Sequence, residues 1–125
     1  MDTGEVRLKR LGLPRLNRLT PTLESTALKL MEEAGELSAL IGKYRSLSGE
    51  KMEMNQKDLA YAIGRELLDV AQTAITMMFV LEEEYGVDLD TALAGHIRKL
   101  IRKGYLEVEG ADLWTGPESP QANSS

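Results

Sequence analysis

Two pairs of acidic residues have the types and the spacing of a metal site. Glu33 and Glu36 are three residues apart, and so are Glu66 and Asp69. Because residues three apart share one face of a helix, each pair can direct two carboxylates toward the same point. Ionised carboxylates withdrawn from water need a compensating charge. A hard divalent cation such as Mg²⁺ supplies that charge with oxygen ligands.

The position of Glu66 distinguishes it from an ordinary surface carboxylate. At about 100° per residue, Leu59 and Met77 fall within about 20° of Glu66 on a helical wheel. Glu66 is therefore predicted to lie in the middle of an apolar face, which argues against a solvated charge run. A buried ion pair is the alternative to a metal site, with Lys29 or Arg65 supplying the cation.

Three amphipathic helices are predicted to carry these residues, with no strand pattern anywhere in the chain. A residue that favours the N-cap precedes each helical pattern, and Gly86 and Gly104 follow the second and third patterns. The helices are predicted after Thr20, Asn55 and Asp88, over about 21 to 45, 56 to 85 and 89 to 103.

The helices define a central domain between two segments of different composition. Residues 1–19 form a basic N-terminal arm, residues 20–107 the helical domain, and residues 108–125 a flexible tail rich in Gly, Pro and Ser. Trp114 is the exception in this tail, since a lone tryptophan usually docks on a surface. The arm is either solvated, or it closes over an anionic ligand or a partner subunit.

The composition excludes several classes of function. The chain has 125 residues, no cysteine, one histidine and a net charge of −5. Thiolate chemistry and multi-histidine metal centres are therefore excluded, and nucleic-acid binding is disfavoured because it needs clustered cations. No apolar stretch approaches the roughly 18 residues of a membrane span, so we expect no membrane association and a cytoplasmic location.

The two acidic motifs resemble the signature of a known family. Glu32-Glu33-Ala-Gly-Glu36 followed by Glu66-Leu-Leu-Asp69 is similar to the EExxE and ExxD motifs of the MazG-like all-α nucleoside triphosphate pyrophosphohydrolases. The resemblance covers about residues 20 to 105. It implies hydrolysis of a nucleoside triphosphate to the monophosphate and pyrophosphate, with Mg²⁺ or Mn²⁺ held by Glu33, Glu36, Glu66 and Asp69.

The resemblance also implies roles for residues outside the four carboxylates. Glu32 becomes a candidate for activating the attacking water, or it is a plain surface residue. The basic end of the third helix becomes a phosphate-binding segment, although cations there also complement the helix dipole. Tyr105 either stacks on a base or ribose or serves in packing. The candidate phosphate ligands are Lys99, Arg102 and Lys103, together with Lys29.

The predicted fold is an all-α bundle of three main helices that dimerisation completes. Three helices with broad apolar faces cannot enclose one another in so small a chain, so we expect a homodimer or a dimer of dimers. Two alternatives remain. One is the related phosphoribosyl-ATP pyrophosphohydrolase, and the other is a non-enzymatic dimeric helical module. The sequence does not specify the base or the sugar of the substrate.

Overall fold

A computed structural model describes residues 6–46 and 55–108. Within these ranges the chain forms three α-helices and no strand, which confirms the predicted all-α fold class. The predicted connection between the first two helices lies outside the described residues, apart from Ser46 and Asn55 at its two ends. Almost all of the predicted tail, including Trp114, also lies outside them. The helices are α1 (Leu23–Ser46), α2 (Gln56–Tyr85) and α3 (Leu89–Arg102).

The N-terminus of α1 differs from the prediction. Thr22 is the capping residue, since its Oγ1 accepts from the backbone N–H of Ser25 at 3.0 Å. In return, Ser25 Oγ accepts from the Thr22 N–H at 2.9 Å. This reciprocal pair satisfies two backbone donors at the helix end. The predicted cap at Thr20 is therefore wrong, and Pro21 precedes the helix instead of opening it.

The other two N-caps are confirmed. Asn55 Oδ1 accepts from the Asp58 N–H at 2.8 Å. Asp88 accepts from the N–H groups of Asp90 and Thr91, and the Thr91 hydroxyl donates to it at 2.8 Å. These hydrogen bonds, led by that of the Thr91 hydroxyl, hold the pKa of Asp88 below its usual range.

Helix ends follow from backbone conformations that favour glycine. Gly86 and Gly104 have φ of 67° and 83°, a region in which side chains with a Cβ are strained. Lys103 is the C-cap of α3, so the helix ends one residue before the predicted boundary. Gly64 does not interrupt α2, which runs unbroken from Gln56 to Tyr85.

The chain divides into two compact units, and the first holds the candidate site. It comprises residues 13–85, in which α1 and α2 pack against each other. Thr26, early in α1, shares a cavity wall with Thr76, late in α2. Glu33, further along α1, lies near Asp69, which precedes Thr76. The two helices therefore run antiparallel.

Residues 13–22, here called the strap, are attached to α2 by two contacts. The Arg15 guanidinium forms a bidentate ion pair with Glu83, at 2.6 and 2.9 Å. Gln72 Nε2 donates to the carbonyl oxygen of Pro14 at 2.9 Å. The strap has no helical structure, as expected from Pro14. This part of the predicted arm thus lies on α2.

The apolar core of this unit is small. Leu59 and Val80 are buried, with exposed fractions of 0% and 3%, whereas Leu28 and Met31 on α1 are 68% and 70% exposed. The second unit contains residues 6–12 and 86–108 of the described chain, with Ala94 of α3 buried. None of the described helices has the length and apolar character needed to cross a bilayer.

Candidate metal centre

Three carboxylates from two helices converge in the first unit. Glu33 comes from α1, and Glu66 and Asp69 come from one face of α2. One oxygen from each lies within 4.8 Å of the other two, and the three side chains range from buried (Glu33) to exposed (Asp69). Helical spacing places Glu66 and Asp69 together, and antiparallel packing of α1 on α2 adds Glu33.

Two of the carboxylate oxygens are buried without a hydrogen-bond donor among the described residues. They are Glu33 Oε1 and Glu66 Oε2. If both groups are ionised, their lone pairs repel in a site that excludes water. A proton shared between them relieves this repulsion. The hydrogen bond that it forms, together with burial and neighbouring negative charges, raises the pKa of Glu66 to about 7.

The pKa of Glu33 moves in the opposite direction. The hydrogen bond from Glu66 and then the contact with Lys29 hold it below its ordinary value. Lys29 Nζ lies 3.1 Å from Glu33 Oε2, and this contact raises the pKa of Lys29. The ion pair predicted as an alternative for Glu66 is thus formed by Lys29 with Glu33 instead. It engages Glu33 Oε2, and Glu33 Oε1 and Glu66 Oε2 remain without a donor among the described residues.

The donor set fits a hard divalent cation. Three carboxylates offer only oxygen ligands, and the two buried oxygens need either a proton or a positive charge. Mg²⁺ and Mn²⁺ prefer such ligands, whereas softer metals favour the nitrogen or sulfur donors that are absent from this cluster. The fit rests on the orphaned oxygens as well as on the residue types.

Glu36 lies at the rim of the cluster. Its side chain is exposed, and it is not one of the three residues whose oxygens converge. Its negative charge nevertheless adds to the effect of Glu33 in raising the pKa of Glu66. The structure thus brings together three of the four predicted ligands and leaves the fourth beside them.

Glu32 and the cations of α3 occupy exposed positions. The Glu32 side chain is 69% exposed, and one of its oxygens lies 3.9 Å from Lys29 Nζ. Lys99 and Arg102 lie in the last turn of α3, and Lys103 is its C-cap. Tyr105 is 76% exposed. Since α3 and Tyr105 belong to the second compact unit, their roles toward the substrate stay predictions.

A cavity beside the carboxylates was missed by the sequence analysis. It has a volume of about 670 Å³ and adjoins Glu33 and Asp69. Its polar wall includes Gln72 and the buried hydroxyls of three threonines, Thr26, Thr73 and Thr76. A sequence signal for it existed: Asp69, Gln72, Thr73 and Thr76 recur at spacings of three and four, which extends the acidic face of α2 as a polar stripe.

Comparison with known proteins places this chain in a family. Residues 21–104 match the MazG nucleotide pyrophosphohydrolase domain. The match covers more than half of the chain, so the protein belongs to the MazG family. This confirms the resemblance found in the two acidic motifs. A search of curated proteins and a search of solved structures each gave no significant match.

Proposed function

We propose that the protein is a divalent-cation-dependent nucleoside triphosphate pyrophosphohydrolase. It cleaves the bridge between the α and β phosphates and releases the monophosphate and pyrophosphate. One observation carries the proposal: a chain of the MazG family brings Glu33 and Glu66 together and buries one carboxylate oxygen of each without a donor among the described residues. Such a pair is costly unless a cation or a proton joins it, and a cation also attracts a triphosphate.

Glu33, Glu66 and Asp69 would hold the cation, Mg²⁺ or Mn²⁺, with Glu36 joining from the rim. When bound, the cation supplies charge neutralisation at the phosphate oxygens and makes a water molecule more acidic. Phosphoryl transfer depends mainly on positioning and charge stabilisation, so this donor set matches the needs of the reaction.

The remaining residues act on the water and on the phosphates. Glu32 accepts the proton of the attacking water as the water oxygen bonds to one phosphorus of the α–β bridge. The bond between that phosphorus and the bridging oxygen breaks, which gives the monophosphate and pyrophosphate whichever of the two phosphorus atoms is attacked. Lys29 is suited to bind phosphate, because its ammonium lies 3.1 Å from Glu33 Oε2 and its side chain remains 56% exposed. Lys99, Arg102 and Lys103 supply further phosphate contacts, and Tyr105 contacts the base or ribose.

We also propose that the protein assembles as a homodimer or a dimer of dimers. Leu28 and Met31 lie about 140° to 160° around α1 from Glu33, on the side away from the carboxylates, and both are largely exposed. On α2, Tyr61 and Leu68 have the same angular relation to Glu66 and line an apolar groove of about 480 Å³. A second copy covering these faces would bury the apolar surface that one chain leaves in water.

Pyrophosphate release from a panel of canonical and modified nucleoside and deoxynucleoside triphosphates tests the reaction. Each substrate is assayed with Mg²⁺ and with a chelator, and the products are identified by chromatography. The proposal predicts metal-dependent formation of equal amounts of monophosphate and pyrophosphate. Release of inorganic phosphate with the diphosphate would contradict it. Inactivity on the whole panel, followed by activity on phosphoribosyl-ATP, would assign the protein to that related reaction.

A further inference from the structure

The cavity beside the carboxylates has the position of a nucleoside subsite, provided that the proposed function is correct. Glu33 and Asp69, two of the proposed cation ligands, lie in its wall, so phosphates bound to the cation would adjoin the cavity. The strap forms part of the rest of the wall through Leu16, Leu19 and Pro21. None of the described residues that line the cavity is aromatic. Within this cavity, a base would therefore be recognised through hydrogen bonds at its edge and not through stacking.

Two threonine hydroxyls on this wall already donate their protons to backbone carbonyl oxygens. Thr26 Oγ1 donates to the Thr22 carbonyl oxygen at 2.8 Å. Thr73 Oγ1 donates to the Asp69 carbonyl oxygen at 3.0 Å. The side chains belong to residues with exposed fractions of 5% and 8%. Since a hydroxyl has one proton, each of these groups can offer a ligand only its lone pairs.

Gln72 adds a third acceptor, and its orientation follows from its partners. Its Nε2 donates to the Pro14 carbonyl oxygen at 2.9 Å and to Thr76 Oγ1 at 3.3 Å. A carbonyl oxygen can only accept, so the amide nitrogen must face Pro14. The Gln72 Oε1 is then the group left for a ligand. Thr76 accepts from Gln72, so its hydroxyl proton is the one donor among these four side chains.

We propose that this cavity binds the nucleobase and that Gln72, Thr26 and Thr73 select a base edge bearing an exocyclic amino group. Cytosine and adenine present such an N–H₂ group, whereas uracil and hypoxanthine present a carbonyl oxygen at the same position. The amino group donates to the acceptors of Gln72, Thr26 and Thr73. The carbonyl would place lone pairs against lone pairs in a buried site, where unmatched polar groups are costly. We expect a preference of about 10- to 100-fold in kcat/KM for the amino base.

The test compares two matched substrate pairs, dCTP with dUTP and dATP with dITP. Gln72→Met and Thr73→Val remove an acceptor while nearly preserving side-chain volume. Arg15→Ala serves as the control, because it breaks the Arg15–Glu83 ion pair of the strap and leaves the acceptors in place. For each protein, kcat/KM is measured for all four substrates. Binding of the α,β-imido analogues of dCTP and dUTP is measured by calorimetry, which does not depend on turnover.

The inference predicts that both acceptor variants reduce the cytosine-to-uracil ratio toward unity, in turnover and in binding. The Arg15→Ala variant should keep the wild-type ratio, and it should lower kcat/KM and binding affinity for all substrates alike. A wild-type ratio near unity, or one that the acceptor variants leave unchanged, would overturn the inference. If no triphosphate is hydrolysed, the proposed function fails, and the binding ratio of the two analogues then decides the inference by itself.

Discussion

Glu33 on α1 and Glu66 on α2 each bury one carboxylate oxygen that has no donor within the described part of the chain. The outer oxygen of Glu33 is bound by Lys29 at 3.1 Å. Helix packing thus brings the two acidic groups together, and a single lysine does not satisfy them. A shared proton and a bound cation are the two ways to neutralise the inner oxygens, and each excludes the other. The predictions below on pH, on Lys29 and on Mg²⁺ derive from this relationship.

Without metal, the protein should lose stability as the pH rises through the neutral range. The pKa of Glu66 increases from 4.5 to about 7 on folding, so the native state holds a proton that the unfolded state has released. The free energy of unfolding therefore falls with rising pH between these values. The lowered pKa of Glu33 acts only below its own ordinary value. The melting temperature in chelator should accordingly decrease from about pH 4.5 to about pH 7.

The variant Glu66→Gln should flatten this pH dependence, because the amide does not titrate. Glu82→Gln is the control, since Glu82 is an exposed residue of the same helix outside the cluster. It should keep the wild-type slope. A wild-type melting temperature that rises over the same pH range would refute the shared-proton interpretation.

Lys29→Met should change metal binding and nucleotide binding in opposite directions. Loss of the cation beside Glu33 should tighten Mg²⁺ binding by up to about fivefold, because a positive charge no longer competes for the carboxylate. The nucleotide KM should rise by about 10- to 100-fold through loss of a charge-assisted hydrogen bond to phosphate. Calorimetry and steady-state kinetics measure the two effects, with Lys43→Met, an exposed lysine in the last turn of the same helix, as the control. An unchanged KM would mean that Lys29 neutralises Glu33 and does not bind the phosphates of the nucleotide.

Glu32→Gln should separate water activation from metal binding. If Glu32 accepts the proton of the attacking water, kcat should fall by about 10²- to 10⁴-fold. The stabilisation by Mg²⁺ should stay at the wild-type level, since Glu32 is not one of the three convergent carboxylates. Glu24→Gln, in the first turn of α1, controls for loss of an acidic residue from this helix. If the Glu32 variant keeps the kcat of the wild type, Glu32 does not activate the water and is a plain surface residue.

The exposed apolar face of α1 gives the prediction for assembly. Met31 is 70% exposed in the single chain, so Met31→Glu should place a charge inside a dimer interface and drive dissociation. Sedimentation analysis should show a dimer or larger assembly for the wild type and a monomer for the variant. The melting temperature of the wild type should also rise with protein concentration. Gln56→Glu adds the same charge at an exposed polar position and should remain assembled. A monomeric wild type would contradict the proposed assembly.

The residue patterns predicted much of this structure because helices and their caps depend on interactions between residues close together in the sequence. Apolar spacing identified three helices, and the caps at Asn55 and Asp88 followed from side chains that accept backbone hydrogen bonds. At α1, two threonines and a serine compete for the cap, and the reciprocal bond between Thr22 and Ser25 decides it. Local propensity does not rank such closely spaced alternatives.

The sequence patterns did not predict features that depend on contacts between residues far apart in the chain. The strap is attached through Arg15 and Glu83, which are 68 residues apart, and through Gln72 and Pro14. No periodicity links such pairs. For the same reason the wheel placed Glu66 on an apolar face but did not show which oxygen is buried. The convergence of Glu33 with Glu66 and Asp69 agrees with the motif spacing, and the polar cavity emerged only from the packing of strap and helices.

Mg²⁺-dependent stabilisation at pH 8 tests the central claim most directly. The melting temperature is measured over a Mg²⁺ titration for the wild type, Glu66→Gln, Asp69→Asn and the control Glu82→Gln. A cation held by the convergent carboxylates should raise the wild-type and Glu82→Gln values by several degrees at saturating concentration. Both cluster variants should fold, lose this increase and lose pyrophosphate release. Equal stabilisation of all four proteins, or none in the wild type, would contradict the metal site.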